Sequence, residues 1–175
     1  QKNFGITSII DGKVTEMGTL VSIARVAKEY ENGEMDIITT GIMVFRVLEI
    51  IKSVPDKLYS GAIVNYPHNS DTYHKRGLME LVLKAVRELH RMLNISKDFK
   101  KPDEDLNAYD IAHHAGLSLE EEYELLGLLK EEQRQEYLKR HLGKVLPVLM
   151  KMEILKERVK LNGHFKNLSS FLFGE

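Results

Sequence analysis

The stretch that decides the fold is Thr19–Ile51, TLVSIARVAKEYENGEMDIITTGIMVFRVLEII. Thr19–Ala27 is a run of apolar and β-branched residues. Met35–Thr40 returns after Asn32-Gly33, a pair that takes positive φ at little cost and predicts a type I′ hairpin. Met35, Ile37 and Thr39 then share one face, with Asp36, Ile38 and Thr40 on the other. Gly41 permits a bend or bulge. Ile42–Ile51 is apolar at both parities, which predicts a central strand covered on both sides.

Working outward, Phe4–Ile10 is a β-branched run closed by the turn dipeptide Asp11-Gly12. Val54-Pro55-Asp56 marks another turn, and Leu58–Tyr66 reads as the last strand before Pro67. Five closely spaced strands argue for an antiparallel sheet or partial barrel in residues 1–67, the first of two expected domains.

From about Thr72 the period becomes helical, so residues 68–175 form the second expected domain. Leu78, Val82, Ala85, Val86, Leu89, Met92 and Leu93 follow an amphipathic pattern. Ser96–Leu106 is charged, contains Pro102 and reads as a loop. Ala108–Ala115 is a short helix closed by Gly116. Ser118-Leu119-Glu120-Glu121 is a capping box opening a helix with Leu125, Leu126, Leu128 and Leu129 as its apolar side. A long helix is predicted from Lys130 to Asn162-Gly163. Leu138, Leu142, Val145, Leu149, Met152 and Val159 form its stripe, and Pro147 is expected to kink it near Gly143.

The chain has 175 residues, 43% hydrophobic, with no Cys and a net charge of −1. That excludes disulfides, Cys-based zinc sites and thiol nucleophiles, and a reducing cytoplasm suits a chain without cysteine. No apolar run approaches the ~20 residues that span a bilayer. Residues 1–67 carry 7 basic and 8 acidic side chains, and the remainder 18 of each. This lacks the basic surplus of most duplex-binding domains.

Searches for chemistry return little. Gly12-Lys13 and Gly143-Lys144 lack the upstream glycine and following hydroxyl of a phosphate loop. No two of the seven histidines stand at i, i+4, and Asp110 with His113 or His114 makes too weak a set for a metal. Nucleophile elbows are absent. Glu120-Glu121-Glu122 complements a helix start rather than forming a catalytic acid pair. Tyr59, Tyr66 and Tyr73, without surrounding cations, read as packing aromatics rather than base-stacking groups. No catalytic residue, cofactor site or metal site is expected.

Phe4-Gly5-Ile6, Gly12, Glu16-x-Gly18-Thr19, Gly41 with Phe45 and Val47, and Ala62 with Val64 resemble the LON substrate-binding domain, the N-terminal domain of ATP-dependent Lon proteases. Leu146-Pro147-Val148-Leu149 and Asn162-Gly163-His164-Phe165-Lys166 look like its short stand-alone bacterial members. The resemblance implies an α+β fold, a PUA-like β domain followed by a helical bundle. It also implies a non-catalytic module that binds unfolded or apolar polypeptide in the cytoplasm, in support of proteolysis. The family's opening strand pair, around a Pro-Leu-Phe-Pro-Leu segment, is not found in this sequence, so Phe4–Ile10 or a neighbour is expected to be an open, apolar edge. The Lon ATPase and Ser-Lys peptidase domains are not found either. The expected partners are polypeptide substrates or a protease, not nucleic acid or membrane. Two alternative readings are a PUA-like RNA-binding module and a self-association domain, the latter through the apolar tail Phe165, Phe171, Leu172 and Phe173.

Overall fold

A computed structural model describes residues 3–70, 76–96 and 99–172, without the side chains of residues 76 and 163–172. The elements in chain order are β1 (Asn3–Ile10), β2 (Lys13–Glu29), β3 (Met35–Ile51), β4 (Gly61–Asn65), α1 (Arg76–Met92), a 3-10 turn (Asp103–Asp105), α2 (Ala108–Ala112), α3 (Leu119–Gly127) and α4 (Glu131–Leu172). They fall into two compact units. One comprises Gln1–His74 with Gly116–Arg134, the other Lys75–Ala115 with Gln135–Glu175.

In the first unit the strands form one antiparallel sheet in the order β1-β2-β3-β4. Four strands replace the five expected, because Met35–Thr40 and Ile42–Ile51 are a single strand. Val21 pairs with Gly41 and Leu20 with Met43, so Ile42 is an extra residue absorbed as a bulge rather than a break. The two-residue left-handed turn lies at Asp11 (φ 51°) and Gly12 (φ 72°), between the paired Ile10 and Lys13. At the second hairpin only Gly33 takes positive φ (83°). Its amide donates to the Tyr30 carbonyl, and the Tyr30 amide donates to that of Glu34, both at 2.9 Å. The expected type I′ turn is therefore replaced by a three-residue loop. Asn32 instead uses its side chain, which accepts from the Glu34 amide at 3.1 Å. The last strand is also shorter than expected, and Leu58 and Tyr59 stand outside it in solvent.

Only Val44 and Phe45 of β3 are buried, which corrects the expectation of a strand covered on both sides. Apolar composition does not by itself supply a covering layer, and both ends of β3 run beyond the packed region. Phe45 is held in a particular way. A Cβ added at Gly18 would lie 2.5 Å from the Phe45 ring and 2.5 Å from the Ile6 carbonyl, and one at Gly5 would lie 2.9 Å from the same ring. The ring thus rests on two backbone positions that only glycine leaves clear. At the neighbouring irregularity, the Thr15 hydroxyl accepts from the Ser8 amide at 3.2 Å and donates to a carbonyl of Ser8 or Met17, each 3.1 Å away.

α3 begins with the expected capping box, since Ser118 accepts from the Glu121 amide and Glu121 accepts from the Ser118 amide. Its Tyr123 hydroxyl accepts from the Met17 amide of β2 at 3.2 Å. The segment after the sheet is secured by Arg134, which is fully buried. This guanidinium donates to Glu131, to the Asn69 side chain and to the carbonyls of Ser70 and Leu128, at 2.7–3.0 Å. Ser70 also exchanges backbone bonds with Leu129 and Glu131.

In the second unit, Val82, Leu83, Val86 and Leu89 of α1 are buried, as are Ile111 of α2 and Leu138 and Leu142 of α4. α2 has its own capping box, Asn107 with Asp110. Helical geometry continues past Asn162-Gly163 to Leu172 and through Pro147. An interior glycine costs only about 1 kcal/mol in a helix, too little to end it here.

Two substitutions separate the glycine contacts. Gly5→Ala should cost about 1–3 kcal/mol in urea unfolding, with most of that cost disappearing in a Phe45→Leu background because the clash is with the ring alone. Gly18→Ala should remain costly in both backgrounds, since the Ile6 carbonyl does not move away with the ring. Arg134→Met, which removes the buried cation beside Glu131 and the donors to Asn69, Ser70 and Leu128, should lose about 3–5 kcal/mol; a loss below about 1 kcal/mol contradicts the hub assigned to Arg134.

Candidate functional site: the apolar face of the β2–β3 hairpin

Between Gly41 and Met35, β3 alternates without interruption, and its partners on β2 follow. One face carries Ile23 opposite Thr39, Val26 opposite Ile37 and Glu29 opposite Met35. The other carries Arg25 opposite Ile38 and Lys28 opposite Asp36. Residues 24 and 27 of β2 are the extra ones at the two register shifts, and they keep the cross-strand pairs aligned. The first face continues in register from the buried Val21 and Val44 into residues open to water, with Val26 42%, Met35 56% and Ile37 38% exposed. It is an extended apolar strip on two twisted strands, with its charge concentrated on the reverse side.

The tip of the hairpin is fixed by polar contacts. The Tyr30 hydroxyl donates to Asp36 Oδ2 at 2.8 Å, and the Lys28 ammonium lies 4.3 Å from the centre of the Tyr30 ring. The hydrogen bond to Asp36 raises the Tyr30 pKa above the ordinary tyrosine value, with a smaller contribution from desolvation.

The other sequence candidates are dispersed. Asp110 is engaged by Lys101 at 2.7 Å and closes the α2 capping box, so it does not join His113 or His114 in a ligand set. His114 meets Phe99 edge to face, with ring centres 5.0 Å apart, and lies 5.5 Å from His90 between ring centres. His90 and His141 each place Nε2 3.2 Å from a backbone carbonyl, of His114 and Ala115 respectively. A carbonyl only accepts, so both imidazoles donate from Nε2. Among the described residues no group of three or more His, Asp or Glu side chains is placed to hold a metal. Glu120 accepts from the Ser118 hydroxyl at 2.9 Å, and its pKa is lowered by a backbone hydrogen bond first and by Ser118 second. The acidic run therefore serves the helix start. Tyr59 and Tyr66 are exposed but flank β4 rather than share it, and Tyr73 lies outside the described residues. The side chains of Phe165, Phe171, Leu172 and Phe173 likewise lie outside them. No described helix is long and apolar enough to cross a membrane.

The Arg134 hub went unread in the sequence, although its signal, Glu131 three residues before Arg134 on one helix face, was present. Asn107-x-x-Asp110 was a second capping box of the same kind as Ser118-x-x-Glu121.

No protein-family model matches the chain, and no curated protein is similar to it in sequence. Solved structures do match. The Lon N-terminal domain protein from Xanthomonas campestris is 24% identical, with 78% of this chain and 74% of that one covered and a TM-score of 0.52. The N-terminal domain of the Mycobacterium avium complex Lon protease is 12% identical, with 82% and 78% covered and a TM-score of 0.55. The chain has the fold of Lon N-terminal domains, a four-stranded antiparallel sheet followed by helices.

Asp36→Ala should lower the Tyr30 ionisation midpoint toward that of free tyrosine. The difference between this variant and Tyr30→Phe in an absorbance titration isolates the residue. The sign follows from linkage: a raised folded-state pKa lends stability below the ordinary tyrosine value, and that contribution is lost as pH climbs through the raised one. An unchanged midpoint contradicts the Tyr30–Asp36 contact.

Proposed function

We propose that this protein is a non-catalytic recognition module of the Lon N-terminal type, which holds unfolded or apolar polypeptide segments for an ATP-dependent protease in the cytoplasm. The observation that carries this reading is the apolar strip of Val26, Met35 and Ile37, continuous with the buried core of the sheet. Exposed contiguous apolar surface on a soluble fold marks an interaction site. A strip on extended strands suits an extended chain whose alternate side chains are apolar, as in other cases of strand-based peptide capture. The fold shared with the Xanthomonas and Mycobacterium domains supports the same reading. An unfolded client presents such segments and a folded one does not, so selectivity needs no chemistry beyond desolvation. Burying about 40–50 Å² from each of a few aliphatic side chains yields only a few kcal/mol after ordering costs. The strip thus supplies part of the roughly 6–7 kcal/mol that capture at 10–100 μM requires, main-chain hydrogen bonds from the extended client supplying the remainder, and such capture is quickly reversible, which suits a device that must release its client.

Reduced, carboxymethylated casein carrying a fluorophore should bind with a Kd of about 10–100 μM, a few kcal/mol short of a tight complex. Ile37→Ser combined with Met35→Ser should weaken binding at least about fivefold, which is the loss of roughly 1 kcal/mol, while Ile154→Ser on α4 should leave it unchanged. Absence of binding at ~100 μM, or equal binding by the hairpin variant, would falsify the assignment.

A further inference from the structure

The apolar strip of the hairpin lies between two strand edges, because β1 and β4 both stop short of it. β1 pairs with β2 only as far as Ser22, and β4 pairs with β3 only from Arg46 onward. Pro67, two residues after Asn65, has no amide to continue that ladder. Among the described residues no strand pairs with the outer edge of β2 from Ile23 to Glu29, or with that of β3 from Met35 to Gly41. The two edges differ. That of β2 is interrupted by the extra residues Ala24 and Ala27 and carries Arg25, Lys28 and Glu29. Bulges and charges of this kind keep an exposed edge from pairing. That of β3 runs without a register shift from Met35 to Gly41, about 20 Å, with Asp36 as its one charge. Its backbone direction is fixed at the tip. The Tyr30 amide donates to the Glu34 carbonyl, so that carbonyl faces β2. Successive residues of a strand present their backbone groups to opposite edges. Met35, Ile37 and Thr39 therefore turn N–H and C=O outward, while their side chains lie on the face of the strip.

We propose that the polypeptide client adds to the outer edge of β3 at Met35–Thr39 as a further antiparallel strand, in the lane that β4 leaves at Asn65. The inference rests on the polypeptide-binding reading and specifies how that site holds its ligand. The occupant is an extended, proline-free segment whose alternate side chains are apolar. At a strand spacing of about 4.8 Å those side chains lie directly beside Met35 and Ile37, and the longer ones reach Val26 one strand further on. Each strand pair of the sheet is antiparallel, and that pairing is the more stable per residue. In such a ladder the residues that exchange both hydrogen bonds stand opposite each other and share a face. The client residues that bond to Met35, Ile37 and Thr39 are thus the same ones whose side chains cover the strip. An unfolded segment offers free amides and apolar alternation together, whereas a helix or an already paired strand has its amides engaged.

The probe is a fluorescein-labelled peptide that alternates valine and threonine between terminal lysines, made unmodified, N-methylated on its valines, or N-methylated on its threonines. The intact chain should bind the unmodified form with the valines on the strip. Methylating the valine amides, which point at β3, should weaken binding at least about tenfold through the lost hydrogen bonds. Methylating the threonine amides, which point away, should change it by less than about twofold. Equal binding of all three forms overturns the edge and leaves the apolar face alone as the site. Loss confined to the threonine form overturns the antiparallel arrangement, because a parallel client bonds through the other parity. Failure of both the unmodified peptide and carboxymethylated casein to bind overturns the polypeptide-binding reading itself, and this inference with it. In the protein, Thr39→Pro deletes an outward amide at an edge position where proline is tolerated. It should weaken peptide binding about fivefold while a cooperative thermal melt persists, and unchanged affinity overturns the proposal. The methylated peptides test the edge without altering the chain. Elution at two chain masses that the peptide converts to one gives the edge to a second copy and overturns the client assignment.

Discussion

The contact on which the sheet depends is the Phe45 ring lying across Gly18 and Gly5. It joins three neighbouring strands through one side chain, because Gly5 pairs with Leu20 and Gly18 pairs with both Thr7 and Phe45. A ring of this size buries enough apolar area to matter on its own, but only when the backbone beneath it carries no Cβ. Steric exclusion and burial act together here, so the aromatic and the two glycines have to be understood as one unit. The conformational freedom of glycine has no part in it.

From that point the sheet extends in both directions beyond what the rest of the first unit covers. The Tyr123 contact with β2 and the Arg134 hub hold α3 and the segment after β4 close to the buried end. Nothing among the described residues lies over the far end of the β2–β3 hairpin, where the strip of Val26, Met35 and Ile37 remains open. Arg134 has each of its five N–H groups near an acceptor, so its charge is buried without an orphaned donor. Buried pairs of this kind add little net stability over an apolar replacement, yet losing one partner is expensive. Here these bonds tie Asn69 and Ser70 to the α3–α4 junction.

The second unit repeats the theme with different means. Two imidazoles on separate helices, His90 and His141, donate to successive carbonyls at the end of α2. They satisfy backbone acceptors of the turn that follows α2. α4 contributes one buried stretch and then continues as an exposed, regularly spaced apolar stripe. Among the described residues, the hairpin strip and the outer stretch of α4 each continue from packed residues of the same element. An element that outruns its own core keeps the pattern that built the core.

Local patterning alone determined the two periodicities, the parity of Met35, Ile37 and Thr39, both halves of the Ser118 capping box and the three- and four-residue spacing of the α4 stripe. These depend on residues within one turn or one strand of each other, where sterics and spacing act directly. Only the tertiary structure decided that Gly41 is a bulge inside one long strand, that Asn32-Gly33 closes a three-residue loop, and that β3 is bare over most of its length. It alone brought Arg134 to Asn69 and Ser70, 65 and 64 residues away in the chain. The physical reason is that burial and register are set by what lies opposite a residue. An apolar side chain in a strand records a preference for cover, while the presence of cover depends on where distant segments pack.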